Sequence, residues 1–166
     1  STTWVAWCNR LRAAMEQAGF TRLTAQGLVG ALEELVGNVQ EHSDAVDSGV
    51  AVFRTQSTIT ELVIADLGIG VLGSLRRHPT YCDLTDAGRA LELSVQDGVS
   101  SRTDAGRGFG ISALFRALAG LDGHVRFRSG DHALELRATA TGVAGQAQLR
   151  QRSPLSGLVV AARCQP

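Results

Sequence analysis

Cysteine is scarce in this chain: Cys8, Cys82 and Cys164 are odd in number and far apart, and the four histidines are scattered. This spacing supports neither a disulfide framework nor a zinc site, and a reducing cytoplasm is the expected home. Long apolar runs are missing too. No stretch approaches the roughly 20 residues that cross a bilayer, so no membrane partner is expected. An excess of charge of one sign is the third absence. Sixteen basic residues balance sixteen acidic ones, which removes the broad positive field of a duplex-binding domain and leaves nucleic acid out of the expected partners. The chain begins at Ser1 with neither methionine nor a signal-like segment, as a processed form or a piece of a longer protein would.

What is present fits one globular domain over residues 1–166: 44% hydrophobic and 19% charged residues, in a length that supports one well-buried core. The most informative stretch is ALEELVGNVQEHS, residues 31–43. At 100° per residue Leu28, Ala31, Leu32, Leu35, Val36 and Val39 form one apolar stripe, and Glu34, Asn38 and His42 stand in a row along its border. A carboxylate, an amide and an imidazole lined up where a core face meets a cleft point to a shared ligand. A half-exposed polar margin would look the same on this helix alone.

Apolar spacing over 4–18 predicts a first helix ending at Gly19, with Trp4 and Trp7 either packed on a sheet or offered to a partner. Thr24 is a candidate N-cap for the second helix. GVAVFRT and TITELVIAD read as a hairpin turning near Gln56 and Ser57, and the second strand runs into Asp66, Leu67, Gly68, Ile69 and Gly70. There a carboxylate at a strand end precedes two glycines, which admit close backbone approach because they lack a Cβ. A short helix is expected around Val71 to Leu75, and another after Thr85 as its N-cap. Residues 98–110 read as a glycine-rich mobile loop feeding a helix N-terminus, where free backbone N–H groups suit a phosphate. HVRFRSG and HALELRATA read as a second hairpin turning at Gly130-Asp131, followed by a polar loop to about Ser153 and a buried final strand, GLVVAARC. The expected fold is an α/β (α+β) two-layer sandwich: a mixed sheet of about five strands covered on one face by about three helices.

Taken in order, ALEELVGNVQEHS, VIADLGIGV and GRGFGIS resemble the three ATP-binding boxes of the GHKL superfamily. That superfamily groups gyrase-type, chaperone, histidine-kinase and mismatch-repair ATPases with anti-sigma serine kinases. The resemblance covers about residues 25–163 and implies the Bergerat ATP-binding fold, with residues 98–110 as its lid. It implies ATP and Mg²⁺ as ligands. Glu34 matches the acid that serves as base, Asn38 the asparagine that binds Mg²⁺, and His42 a variable position near the phosphates. Asp66 matches the carboxylate that accepts from the adenine amino group, with Gly68 and Gly70 leaving room for the base. Gly106, Gly108 and Gly110 match the phosphate-binding glycine box, and Arg102 and Arg107 are candidates for the γ-phosphate. One departure stands out: many members carry a Gly-Thr pair before the last strand, and here Gly157 is followed by Leu158.

Two functions follow. In compactness the chain resembles anti-sigma serine kinases, implying γ-phosphate transfer to a regulatory protein, on serine, threonine or histidine, or to water. The alternative is a non-catalytic ATP-gated interaction module, toward which the missing threonine leans. Either function implies a regulatory protein partner, and the N-terminal helix offers a surface for a homodimer.

Overall fold

The computed structural model describes residues 2–95, 114, 117–118, 121–139 and 142–166, with residues 2, 38–42, 46, 138–139 and 142–146 described by backbone alone. Helix α1 spans Thr2–Gln17 and α2 spans Arg22–His42; strands β1, Val50–Gln56, and β2, Ile59–Asp66, follow. Then come the short helix α3, Gly70–Leu75, helix α4, Ala87–Ser94, and two long strands, β3, Asp122–Thr139, and β4, Gly142–Gln165.

The architecture is the expected α+β two-layer sandwich, with a sheet of order β1-β2-β4-β3. Among the described residues every pairing is antiparallel, so the sheet is not mixed there, and four strands stand where about five are expected. The difference lies at Gly130. Its φ of +60° makes a bulge and not a hairpin turn, and the register slips between Ser129 and Gly130 and again before His132. HVRFRSG and HALELRATA are therefore one bent strand. The stretch expected as a polar loop to Ser153 pairs with it as the first part of β4, because a two-stranded ribbon satisfies backbone groups without needing apolar side chains.

Alternation sets the inner face. Along β2, Thr60, Leu62, Ile64 and Asp66 are buried and their neighbours are not. Leu62, Ile64, Val125, Phe127, Val160 and Ala162 meet Leu28, Leu32 and Leu35 from α2 and Leu11 and Met15 from α1. Each of these side chains except Ala162 contributes about 1.5–3 kcal/mol on leaving water. Trp7 packs edge-on against Phe53 of β1 at 5.4 Å and stacks on Trp4 at 4.9 Å, so Trp7 serves the helix–sheet contact. The final strand's apolar run is explained by its central place between β2 and β3.

Helix ends differ from expectation by a residue or more. The Thr21 hydroxyl, not Thr24, accepts the Thr24 N–H at 3.1 Å to open α2. Asp86, not Thr85, caps α4 by accepting the Arg89 N–H at 2.6 Å. A carboxylate is both the stronger acceptor and the better partner for the positive helix end. Gly19 ends α1 with φ +97°, as expected of a helix-terminating glycine.

Candidate functional site

The site is built where the end of β2 meets the end of α2. Asp66 closes β2 on the inner face with 4% exposure, and its Oδ1 accepts the Gly68 N–H at 2.7 Å. Burial pushes its carboxyl above the usual range, against the lowering effect of backbone bonds from Gly68 and Leu158. A carboxylate has about four acceptor positions, so these two bonds leave capacity for a ligand donor.

The turn after Asp66 is held from three sides. The Ile69 N–H donates to the Ser43 carbonyl at 2.9 Å, the Leu67 N–H donates to the Ser48 hydroxyl at 2.9 Å, and the Val71 N–H donates to the Ser129 hydroxyl at 3.0 Å. A Cβ on Gly68 would lie 2.0 Å from the Ser43 carbonyl oxygen, and one on Gly70, whose φ is +68°, would lie 2.5 Å from Ser129 Oγ. The room these two glycines leave therefore admits the chain's own neighbours at closest range. Beside the turn is a cavity of about 300 Å³ lined by Gly68, Ile69, Gly70, Gly73, Ser129 and Gly157. Ser43 and Ser129 are parts of this site that sequence reading passes over. Their only signal is position, one directly after His42 and one directly before Gly130.

Glu34 is exposed on α2, and Asn38 and His42 continue its row by helical spacing, their side chains being outside the description. Of the two adjacent acids, Glu33 is turned to α1. Its carboxylate, together with burial as the larger effect, pushes the Cys8 thiol up to about 11. Glu34, the other acid, is exposed. From Ser43 back to Glu34 is nine residues, roughly 14 Å at 1.5 Å per residue, which sets how far Glu34 lies along α2 from the Asp66 turn. Arg102, Gly106, Arg107, Gly108 and Gly110 lie outside the described residues.

Leu158 pairs with Asp66 on one side and with Ser129 on the other, and all three are buried on the inner face. The sequence departure at Leu158 therefore sits directly beside the carboxylate.

An adenine nucleotide fits what is described here: a buried carboxylate with spare acceptor positions and a glycine-walled cavity next to it. No group of three or more metal-ligating side chains occurs among the described residues. A Mg²⁺ ion carried by phosphates keeps several waters and needs only one or two protein oxygens, so such a cluster is not required for it. Among the described residues no helix is long and apolar enough to cross a membrane.

No family model and no curated protein matches the chain. Solved structures similar to it include the B subunit of DNA gyrase from Myxococcus xanthus, at 12% identity and TM-score 0.42, over 84% of this chain and 37% of that one. The N-terminal domain of a DNA repair protein aligns at 20% identity and TM-score 0.41, over 91% of this chain and 38% of that one. The 43K ATPase domain of Thermus thermophilus gyrase B, in complex with an aminocoumarin, aligns at 15% identity and TM-score 0.34, over 80% and 32%. The chain thus spans between 32% and 38% of the length of these structures.

Proposed function

We propose that the chain binds Mg²⁺-ATP along α2 and the Asp66–Gly70 turn and transfers the γ-phosphoryl group to a regulatory protein or to water. The observation that carries this reading is Asp66: a carboxylate buried at a strand end, anchored by turn amides and left with acceptor capacity beside the glycine turn. In this reading Asp66 accepts from the adenine amino group. Asn38 supplies the protein oxygen for Mg²⁺, and His42 stands near the phosphates. Glu34, exposed at the far end, takes the proton from the attacking hydroxyl. Gly106, Gly108 and Gly110, with Arg102 and Arg107, are proposed from the sequence alone to close on the phosphates. Phosphoryl transfer asks the protein mainly for positioning and charge neutralisation, so this is a sufficient set.

Calorimetric titration with Mg²⁺-ATP tests the reading. Asp66→Ala leaves a ligand donor unpaired, an expected loss of about 1–3 kcal/mol or roughly 5- to 150-fold in affinity. Unchanged affinity would remove the adenine assignment.

A second reading is favoured by Leu158. An aliphatic side chain beside Asp66 withdraws a hydroxyl contact from the base, consistent with a module in which ATP gates partner binding without turnover. Incubation with γ-labelled ATP, with and without proteins encoded beside it, separates the two by whether label reaches phosphate, protein or neither.

A further inference from the structure

The face of the sheet turned away from the helices carries a pattern that the nucleotide reading does not use. Antiparallel register lays its side chains out in rows across the strands β1, β2, β4 and β3. One row is Arg54, Glu61, Arg163 and His124; the next is Val52, Val63, Ala161 and Arg126; the third is Val50, Ala65, Val159 and Arg128. An aliphatic panel on three strands is thus bordered by cations on β3. Val50 and Val52 are 55% and 51% exposed.

The bend in β3 adds to this border. Arg126 Nε lies 3.5 Å from Glu135 Oε1, although nine residues of straight strand would separate their backbones by about 30 Å. The ribbon beyond Gly130 therefore turns back toward the outer face. Arg152 reaches the same Glu135 oxygen at 3.7 Å, and Arg137 shares with His124 and Arg163 a cavity of about 310 Å³. Asp122, on the same cavity, is engaged by the Gln165 amide at 2.9 Å.

Around Glu135 and Asp122 are gathered Arg126, Arg137, Arg152 and Arg163, and Arg128, next along β3, donates to the Ser153 carbonyl at 2.8 Å. The Nε groups of Arg126 and Arg128 are buried with no hydrogen-bond partner among the described residues, and Arg137 and Arg163 have no ion-pair partner there. In a chain with net charge zero this is a local excess. The chain contains no lysine, so all sixteen of its basic residues are arginines. Guanidinium forks suit carboxylates, which they can bind bidentately.

We propose that this face docks an extended acidic segment of a partner protein, carboxylates on the arginine border and apolar side chains on the valine panel. Arg128, Arg126 and His124 alternate along β3 at about 6.6 Å, the spacing of carboxylates at every second residue of an extended peptide. Glu135 already rests between Arg126 and Arg152, so the cluster accommodates this very group. A single small anion would use the cavity but leave the aliphatic panel without a role. A nucleic acid strand is disfavoured because this outer panel has no aromatic ring for base stacking among its described residues. The inference stands on the outer face and does not rest on the nucleotide reading.

The test is fluorescence anisotropy with the purified chain and a short labelled peptide bearing glutamates at alternate positions and leucines at one end. Binding is expected to weaken as salt rises. Replacing the glutamates with glutamine should abolish it. Arg137→Gln combined with Arg163→Gln, both exposed, should weaken binding at least about tenfold, or 1.4 kcal/mol. That variant should keep the parent's thermal midpoint and its behaviour toward ATP. Val52→Asp should weaken it independently. No binding, equal binding of the glutamine peptide, or full affinity in the arginine variant would each overturn the proposal. Tighter binding of labelled oligothymidine would point to nucleic acid instead, and displacement by equimolar inorganic phosphate to a simple anion site; either result also overturns it.

Discussion

The Ser129 hydroxyl donates to the Gly157 carbonyl at 2.7 Å while accepting the Val71 N–H at 3.0 Å. One buried side chain thereby joins β3, β4 and the start of α3. Ser129→Ala would leave a buried carbonyl and a buried N–H unpaired, an expected loss of about 2 kcal/mol or more. For a chain of this size that is roughly 4–8 °C in thermal midpoint, measured by calorimetry without ligand. A midpoint within about a degree of the parent would show that water replaces the hydroxyl at no cost.

Glu34 separates the two functional readings. Exposed in the free chain and without a side-chain hydrogen bond among the described residues, it can be changed in Glu34→Gln with nucleotide affinity expected to stay within about twofold while turnover falls by about 10²–10⁴, the usual contribution of a general base. Turnover and affinity measured on the same preparations decide the matter. A parent with no turnover, alone or with partners, would leave only the ATP-gated module.

Asp66 makes stability depend on pH with a definite sign. Its folded carboxyl titrates above the ordinary 3.8 because it is buried. The folded state thus holds the proton more tightly than the unfolded chain, and this contribution is present below pH 3.8 and lost as pH rises through the folded value. Asp66→Asn should therefore raise the thermal midpoint at pH 7, and the gain should shrink as pH falls toward 4. A variant less stable than the parent at pH 7 would mean that the backbone bonds from Gly68 and Leu158 outweigh desolvation.

Gly27 and Gly30 stand on α2 where an added Cβ would meet nothing within 4 Å. Gly27→Ala and Gly30→Ala should each stabilise the chain by about 0.5–1 kcal/mol through helix propensity, read as a higher denaturation midpoint at unchanged slope. The same change at Gly157 should do the reverse. Its φ is +78° and a Cβ would lie 2.0 Å from the Asp66 carbonyl oxygen, so Gly157→Ala should unfold the site.

Much of this was legible in the sequence because periodicity reports burial. The α2 stripe of Leu28, Ala31, Leu32 and Leu35 is buried as the 3.6-residue period requires, and the β1–β2 hairpin turns at Ser57 with φ +53°. The bend in β3 was not legible, because a glycine followed by an aspartate serves a bulge as readily as a turn, and only pairing with β4 distinguishes them. The N-caps fall at Thr21 and Asp86 and not at Thr24 and Thr85, because neighbouring threonines and aspartates compete for the same N–H groups. For the site, Asp66 and its glycines were readable as a local run. The contacts of Ser43 and Ser129 were not, since they join residues as distant as 71 and 129.

Strand order also sets a schedule for folding. β4 is made after every other strand, yet it lies between β2 and β3 and joins them. Until residues 158–164 emerge from the ribosome, the Leu62 and Ile64 edge of β2 has no permanent neighbour, and Asp66 must wait across more than ninety positions for Leu158. Such long-range closure makes folding slow and leaves an unpaired apolar edge exposed during synthesis. Nascent chains halted before Leu158 are where chaperone capture, or aggregation in its absence, is to be sought.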